Sequence, residues 1–404
     1  MASSYDIAVI GGGMVGVSAA YQCAKRGLRT LLVERRHLGS GGSGGNFGLV
    51  LWSTGQPSSP YALQRERDGA ARVARLSEEL EFDIEYRPAH GHCIICSEEE
   101  LRLFRWHCDV FTAAGFSERI ITPAELREAE PAIHIGPQVI AALQTDEAVL
   151  NPLRLVQAFW RAARRHGADA LTYAPVIGFE RAGSRITAII TPAGRIPVGY
   201  VALTAGSWSR QVALLAGVSL PEYYIQAEAV VTEPAPPLLN GFAYWANALR
   251  VPAEGAIAQD ALRAGWESRS DATLFAAYDF GTVQAAHGNM LFGQMTYVNP
   301  RFSDAATCSV IPDSARQALH MFPQLRKLRI IRSWRSPAPF TPDHKPLVGR
   351  LAPYENMAIA SGFNSAITMC PWAGELLAEL AAGKPPPAAV REFDPLRFGA
   401  DVAI

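Results

Sequence analysis

The first 36 residues alternate apolar runs with glycine, in a pattern that predicts a strand, a turn, a helix and a second strand. The runs YDIAVI and LRTLLVE are short and apolar, whereas VSAAYQCAKRG between them has helical spacing and includes Gly27, a favourable C-cap. The turn that follows the first run is GGGMVG. One βαβ unit of the usual length is therefore predicted at the start of the chain.

Helical and strand patterns alternate through the rest of the first half. Residues 61–80 have helical spacing, 82–97 favour a strand, and 98–130 favour helix, with a capping pattern at Thr122. From Asn151, NPLRLVQAFWRAARRHG is a strongly amphipathic helix with proline in its first turn. Three strand patterns follow, LTYA, ITAIITPAG and GYVALTAG.

The pattern is less regular in the second half. Proline-rich EPAPPLLNG opens a stretch without sustained periodicity, in which 251–277 are interpreted as an insertion or lid on a second domain. The stretch ends at the strand pattern NMLFGQMTYV, and the last helix is predicted from Trp372 to Leu380.

Size and charge exclude several classes of protein. The 404 residues suffice for two or three domains, and no apolar run reaches the roughly 18 residues of a membrane-spanning helix. A net charge of −1 gives no electrostatic case for nucleic acid. The opening MASSYDIAVI lacks a basic segment and is interpreted as a first strand, not a signal peptide, so a cytoplasmic location is expected.

Cysteine and histidine give no metal or nucleophile pattern. Cys93 and Cys96 form a C-x-x-C, which occurs in redox centres and zinc sites, but they lie in a strand pattern without a second pair at metal-ligand spacing. Buried structural thiols are the favoured interpretation, and no metal is expected. None of the nine histidines falls in a pattern for nucleophilic catalysis.

The turn after the first strand carries a specific motif. Gly11, Gly13 and Gly16 form G-x-G-x-x-G: the first permits the tight turn, the second lets backbone N–H groups approach a pyrophosphate, and the third allows close helix–strand packing. Glu34 closes the next strand, where its carboxylate can accept both ribose hydroxyls. The combination predicts a dinucleotide-binding unit.

A second glycine-rich segment, GSGGSGGNFG at 39–48, follows Glu34 closely. A nicotinamide enzyme would continue with regular strand–helix alternation, whereas this loop can lay backbone donors along the second half of an elongated cofactor such as FAD. From composition alone, a flexible surface loop is the alternative.

The sequence resembles a known family of FAD-dependent oxidoreductases, that of D-amino-acid oxidase, glycine oxidase and sarcosine oxidase. Beside the N-terminal unit, the resemblance is carried by SGGNFG, DEAVLNPLRLVQAF, ALTAGSWS, GNMLFG, FTPDHKPLVG and SGFNSAITMCPWAGELLAEL, in the family's order. The chain looks most like the FAD-carrying subunits of opine, proline and hydroxyproline dehydrogenases and of hydrogen cyanide synthase.

The expected fold is α/β with two domains. A three-layer Rossmann-like FAD-binding domain is assembled from 1–85, 145–220 and 335–395. A substrate domain on a mixed β-sheet takes 86–144 and 221–334.

The resemblance implies roles at both ends of FAD. Asn46 is expected near the reacting edge of the flavin, and the helix after Asn364 to Thr368 directs its N-terminal dipole at negative charge on the reduced ring near N1 and O2. Val176 meets adenine through its backbone, and Ala205-Gly206 with Trp208 close over the ADP, although a core aromatic is the alternative for Trp208. The residues expected to bind FAD are Gly11, Gly13, Met14, Val15, Gly16, Glu34, Arg35, Ser40, Ser43, Gly44, Gly45, Asn46, Val176, Ala205, Gly206, Trp208, Gly362, Asn364, Ser365, Ala366, Ile367 and Thr368.

The chain departs from the family where a substrate carboxylate is held. Glycine-oxidase-like enzymes carry arginines at the positions of Ala338 and Asn364, and sarcosine-oxidase-like enzymes carry a lysine at Thr368 and an arginine near Leu51. The usual bidentate clamp on an α-amino acid is therefore not expected. Arg335 lies near the lost clamp and is expected to act with Asn46 on the substrate, with a structural ion pair as its alternative.

These features favour oxidation of a C–N bond in an amine or N-substituted amino acid, by hydride transfer to flavin N5 and hydrolysis of the imine. A neutral amine can give up hydride without a strong base. Two alternatives stay open: a 2-hydroxy-acid dehydrogenase, which needs a base, and a non-catalytic flavin-binding subunit.

Two further expectations concern the linkage and the electron acceptor. Sarcosine-oxidase-like enzymes attach the flavin through a cysteine at the position of Ser336, so FAD is expected to be non-covalent. They also place a lysine beside the flavin at the position of Leu291, and its positive charge favours electron transfer to oxygen. A dehydrogenase, with a partner subunit as candidate electron acceptor, is therefore expected.

Overall fold

Two β-sheets organise the chain, one of eight strands and one of nine. The computed structural model describes residues 4–51, 59–246, 253, 255–257, 259–260, 275–298 and 310–398. The helices are α1 (Met14–Lys25), α2 (Pro60–Val73), α3 (Leu76–Glu79), α4 (Glu98–Ala113), α5 (Pro123–Ala129), α6 (Pro152–Arg165), α7 (Ser209–Leu215), α8 (Val310–Met321) and α9 (Ala366–Ala381).

The first sheet has a parallel centre. Its strands are β1 (Tyr5–Ile10), β2 (Thr30–Val33), β7 (Asp169–Leu171), β8 (Gly178–Ala182), β9 (Arg185–Thr191), β10 (Gly194–Leu203), β16 (Leu347–Arg350) and β17 (Met357–Ser361). They run in the order β16-β17-β10-β1-β2-β7, with β16 antiparallel to β17, and β9 and β8 extend β10 as an antiparallel pair. The central strands are buried on both faces, which explains their continuous apolar runs.

Three layers form around this sheet. Helices α1, α6 and α9 pack on one face, around a core that includes Ile7, Phe159 and Leu377. The opposite face is covered by α7, β8 and β9, around Ile189 and Leu203. Strands β1 and β2 are parallel and joined by α1, as the sequence predicts. The α/β class and its layered domain are therefore confirmed.

The second sheet is mixed and mostly antiparallel. Its strands are β3 (Leu49–Val50), β4 (Arg87–Ile95), β5 (Glu118–Ile121), β6 (Ala141–Val149), β11 (Tyr223–Pro234), β12 (Phe242–Trp245), β13 (Phe275–Gln284), β14 (Asn289–Val298) and β15 (Ile330–Phe340). They run in the order β15-β11-β14-β13-β12-β4-β6-β3, with β5 paired to β6 and β12 parallel to β4. An apolar cluster that includes residues of α5 and α8 covers one face.

Two predicted segments differ from the structure or fall outside it. Residues 98–130 do not form one helical stretch, because β5 lies between α4 and α5 and pairs with β6. Most of the predicted insertion at 251–277 lies outside the described residues, and its last three residues open β13.

The last helix begins earlier than predicted. It starts at Ala366 instead of Trp372 and continues through Pro371. Proline has no N–H to donate to the carbonyl of Ile367. The Cys370 thiol donates to that oxygen at 3.4 Å, so the backbone acceptor keeps a partner and the helix is not interrupted.

The two sheets draw on alternating parts of the chain. Strands of the first sheet lie within 5–33, 169–203 and 347–361, and strands of the second lie within 49–149 and 223–340. Strand β3 pairs in the second sheet although its segment was assigned to the FAD-binding domain. The exact domain boundaries stay a prediction. Within the described residues, no helix has both the length and the apolar character needed to cross a membrane.

Candidate active site

One continuous cavity of about 700 Å³ is lined by residues of both sheets. Its walls include the turn after β1, the glycine loop 39–48, the first turn of α9 and one face of the second sheet. The volume lies in the range typical of cofactor and ligand pockets. The cavity therefore joins the dinucleotide motif to the second sheet.

At one end, the cavity meets the N-terminus of α1. Gly13 is the N-cap of the helix and has no side chain to cap it, and Gly13, Met14 and Val15 line the cavity. Exposed N–H groups and the helix dipole make such a terminus suitable for an anion. The N–H of Met14 donates to Ser43 Oγ at 2.9 Å, which ties the glycine loop to the helix.

Glu34 stands after β2, beside the same terminus. Its Oε2 accepts a hydrogen bond from the N–H of Gly12 at 2.7 Å, and its Oε1 accepts one from the N–H of Arg36 at 2.8 Å. These two bonds fix the carboxylate. Because each oxygen has a second acceptor site, both remain able to accept a ribose hydroxyl.

Trp208 and Arg35 close this end of the cavity. The guanidinium carbon of Arg35 lies 3.7 Å from the centroid of the Trp208 ring, a cation–π contact. Both side chains line the cavity, as do Val176 and Ala205. The half-buried Trp208 ring is thus a wall of the cavity, which weakens its interpretation as a core aromatic.

The glycine loop 39–48 packs against β15. A Cβ at Gly45 would lie 2.5 Å from Ser336 Cβ, and the indole N–H of Trp334 donates to the carbonyl of Gly45 at 3.1 Å. Asn46 Oδ1 accepts from the N–H of Gly48 at 2.7 Å, and Asn46 lines the cavity. These contacts give the loop a defined position, so the alternative of a flexible surface loop is not supported.

A second helix terminus opens on the cavity beyond this loop. Ser365 is the N-cap of α9 but makes no capping hydrogen bond through its side chain. Asn364 to Thr368 all line the cavity. As at α1, the first N–H groups of α9 can stabilise negative charge there.

The structure brings the predicted cofactor residues together. All of them line the cavity except Gly16 and Gly44. Those two lie behind it: a Cβ at Gly16 would overlap the carbonyl oxygen of Gly11, and a Cβ at Gly44 would overlap that of Gly39. Contact of each residue with FAD stays a prediction.

The other end of the cavity, the aromatic end, is largely apolar. Its aromatic side chains include Phe47, Phe104, Trp106, Tyr244, Trp245 and Trp334. Of the described residues that line the cavity, Glu34 and Arg35 carry a formal charge at neutral pH, and both belong to the α1 end. The aromatic end thus contains no full charge from the described residues and is suited to a neutral ligand.

His107 lies at the aromatic end and was not expected from the sequence. It stacks on Phe111 with ring centroids 4.1 Å apart, and its Nε2 lies 3.6 Å from Glu118 Oε2. Burial lowers the pKa of His107 to about 4, whereas burial and the nearby charge of Glu147 raise the pKa of Glu118 to about 8. His107 is therefore neutral near pH 7, and its lowered pKa makes it a weak base within the cavity wall.

The geometry does not support the expected role of Arg335 as a substrate anchor. Its Nε donates to Glu228 Oε1 at 2.5 Å and its Nη1 donates to Gln226 Oε1 at 3.0 Å. Trp334 and Ser336 line the cavity, but Arg335, which alternates with them on β15, does not. The alternative given for it, a structural ion pair, matches these contacts.

The walls of the cavity fit an FAD. Two helix termini whose N-cap side chains make no capping hydrogen bond, a carboxylate beside the first terminus and backbone exposed at glycine suit an elongated ligand that carries a pyrophosphate and a ring able to take negative charge. Glu34 would hold the ribose, and the first turn of α9 would meet the ring.

Glu34→Gln should weaken FAD binding. The amide keeps the shape of the side chain but loses the charge and one acceptor, and a hydrogen bond to a charged group contributes about 1.5–3 kcal/mol. The FAD dissociation constant, measured by fluorescence titration, should rise at least about tenfold. Glu180→Gln, on exposed β8, is the matched control. An unchanged dissociation constant in Glu34→Gln would place the ribose elsewhere.

Arg335→Met should reduce stability without selecting between substrates. The substitution takes the cation away from Glu228, whose side chain is fully buried, and breaking a buried pair costs about 3–5 kcal/mol. Urea unfolding should report this loss, while KM should change equally for carboxylated and neutral amines. Arg332→Met, on the exposed part of the same strand, is the control. A KM increase confined to carboxylated substrates would restore Arg335 as an anchor.

Comparison with known proteins agrees with this geometry. A family model described as FAD dependent oxidoreductase, DAO, matches residues 6–380. L-proline dehydrogenase from P. horikoshii superimposes with a TM-score of 0.82 and 25% identity, over 98% of both chains. Sarcosine oxidase subunit beta of Rhodobacter capsulatus is 24% identical over 401 residues, which are 98% of this chain and 88% of that protein.

Mitochondrial dimethylglycine dehydrogenase of Mus musculus is 25% identical over 408 residues, or 98% of this chain. The chain spans only 44% of that relative's length. The family match extends over the dinucleotide motif, both sheets and the first turn of α9. The chain therefore belongs to the DAO family of FAD-dependent oxidoreductases.

Proposed function

We propose that this enzyme oxidises the C–N bond of an amine or N-substituted amino acid. The observation that carries the proposal is the continuity of one cavity, from the α1 end through the glycine loop to the aromatic end. When bound, FAD supplies a hydride acceptor at flavin N5. The substrate gives up a hydride from the carbon next to nitrogen, and the resulting imine is hydrolysed in water.

The aromatic end supports an uncharged reacting nitrogen. Its rings offer an apolar surface that can position the substrate, and a neutral amine needs no base to remove a proton from carbon. Ala338, Asn364 and Thr368, where related enzymes carry cations, all line the cavity. A substrate held by a paired cationic clamp is therefore disfavoured relative to a neutral or N-substituted amine. Asn46 is proposed to meet the substrate at the reacting edge.

His107 favours a second candidate, oxidation of a 2-hydroxy acid. Alcohol oxidation requires a base for the hydroxyl proton, and His107 is a neutral imidazole in the cavity wall, backed by Glu118. The sequence offered no placed histidine for this role. The candidate ranks second because burial lowers the pKa of His107 to about 4, which makes the imidazole a weak base near neutral pH.

The electron acceptor is proposed to be other than oxygen, through a partner subunit. Leu291 stands where related oxidases carry a lysine, and it packs in an apolar cluster with Phe47 and Leu49. The Leu291 side chain therefore carries no positive charge that would promote electron transfer from the reduced flavin to oxygen. The name of sarcosine oxidase subunit beta indicates that this relative works within a complex.

FAD is proposed to be held without a covalent bond. The position where related enzymes carry the linking cysteine is Ser336, which lines the cavity. Acid precipitation of the purified protein should leave the yellow colour in the supernatant. A yellow pellet, with a flavin adduct on a peptide, would contradict the proposal.

Anaerobic reduction of the FAD-loaded enzyme tests the reaction. Neutral secondary amines and N-alkyl amino acids should bleach the flavin at a saturable rate, and 2-hydroxy acids should not. Mixing the reduced enzyme with aerated buffer should then restore the colour more slowly than substrate bleaches it.

The other possible results of this experiment would each contradict one part of the proposal. Bleaching by 2-hydroxy acids alone, lost in His107→Phe, would establish the second candidate. No bleaching by any compound would favour a non-catalytic flavin-binding subunit. Reoxidation as fast as substrate turnover would make the protein an oxidase and remove the need for a partner.

A further inference from the structure

A carboxyl group lies directly behind the first turn of α9. Glu66, on α2, accepts through Oε2 a hydrogen bond of 2.5 Å from Thr368 Oγ1. The same hydroxyl lies 3.0 Å from the carbonyl oxygen of Ser365. Ser365 and Thr368 both line the cavity, whereas Glu66 does not. The carboxyl thus meets the helix terminus through the side chains of Thr368 and Ser365 and does not line the cavity itself.

Close packing of α2 on α9 fixes this arrangement. Gly69, one turn after Glu66, meets the backbone of Thr368, and a Cβ there would overlap the carbonyl oxygen of Thr368. Thr368 itself is fully buried. Neither helix can shift without losing this contact, so the separation between Glu66 and the terminus is set by backbone.

The arginines that neighbour Glu66 on α2 form ion pairs with other residues. On α2, Arg65 pairs with Asp68 at 2.5 Å, and Arg72 pairs with Glu375 of α9 at 2.6 Å. The first turn of α9 has no acidic residue. Burial raises the pKa of the Glu66 carboxyl to about 7, against the opposing effect of the hydrogen bonds from Thr368 and Ser365. Small changes in the local field therefore change its ionisation near neutrality.

We propose that Glu66 is a positioning residue that sets the reduction potential of the bound FAD through the N-terminus of α9. The proposal rests on placement of the flavin ring against this terminus. An ionised Glu66 and a negatively charged reduced ring would both lie near the N-terminus of α9 and repel each other. Ionisation of Glu66 therefore disfavours reduction of the ring, and reduction of the ring disfavours ionisation of Glu66. Hydride transfer adds two electrons and one proton to the ring. An ionised Glu66 then takes up one further proton from solvent, which removes its negative charge from behind the helix terminus.

The midpoint potential of the FAD-loaded enzyme measures this coupling. It should be determined against reference dyes from about pH 5.5 to about pH 8.5, either side of the pKa of about 7. In the wild type, the fall with pH should steepen near neutrality by up to about 30 mV per pH unit, a tenfold change for a two-electron couple. Glu66→Gln should lack the steep part, coincide with wild type at the acid end and lie above it at the alkaline end.

Glu375→Gln provides the matched control, because Glu375 lies on α9 and does not line the cavity. It should follow the wild-type curve. A Glu66→Gln curve parallel to wild type at every pH would overturn the proposal, since a merely structural carboxyl would not alter the slope.

Thr368→Val keeps the inference testable if Glu66→Gln fails to fold or to hold FAD. Loss of the donating hydroxyl raises the Glu66 pKa further, so the steep region should move to higher pH. A steep region at the wild-type pH would contradict the proposal. No amine substrate is required, so a failed anaerobic reduction by amines leaves this measurement intact.

Discussion

Contact of backbone with backbone at glycine is the constraint on which the cavity depends. A side chain at Gly16 would overlap the carbonyl of Gly11, and one at Gly44 would overlap that of Gly39. A Cβ added at Gly45 would lie 2.5 Å from the side chain of Ser336 on β15. These close approaches place the N-terminus of α1, the glycine loop and the second sheet around one elongated space. The glycine content of the loop is therefore structural, and it exposes backbone donors where a cofactor lies.

Charge is distributed along the cavity in an order that suits the proposed reaction. The α1 end holds Glu34 and Arg35, the first turn of α9 adds the positive end of a helix dipole, and the described lining of the aromatic end adds no formal charge. An anionic cofactor half, a ring that takes negative charge and a neutral amine would each meet a matching environment. Because Glu66 lies behind the first turn of α9, it is proposed to affect the reduction potential of the ring without lining the cavity.

Much of this architecture was predictable because it depends on local patterns. Periodicity identified the βαβ unit, and glycine spacing identified the residues that line the α1 end. The last helix was predicted from Trp372 but begins at Ala366, because it continues through Pro371 and a thiol satisfies the carbonyl that proline leaves without a donor. β5 was missed because its short run lies between two helices and is defined by pairing with β6.

The substrate end was harder to predict, since its residues meet only through tertiary structure. His107 faces inward from an amphipathic helix in which no motif marks it, and Glu118 reaches it from a strand. Arg335 was predicted to face the substrate because family positions near it had lost their cations. Its partner Glu228 lies far away in sequence, on the neighbouring strand β11, and only the pairing of β11 with β15 brings the two together.

A crystal structure of the FAD-loaded protein tests the central claim most directly, namely that this one cavity holds FAD with its adenosine half at α1 and its ring at α9. The account predicts ribose hydroxyls within about 3 Å of the Glu34 carboxylate. It also predicts the flavin ring between the glycine loop and the first turn of α9, with its reacting edge toward the aromatic end. An FAD bound outside this cavity, or with its ring beside Glu34, would contradict the account.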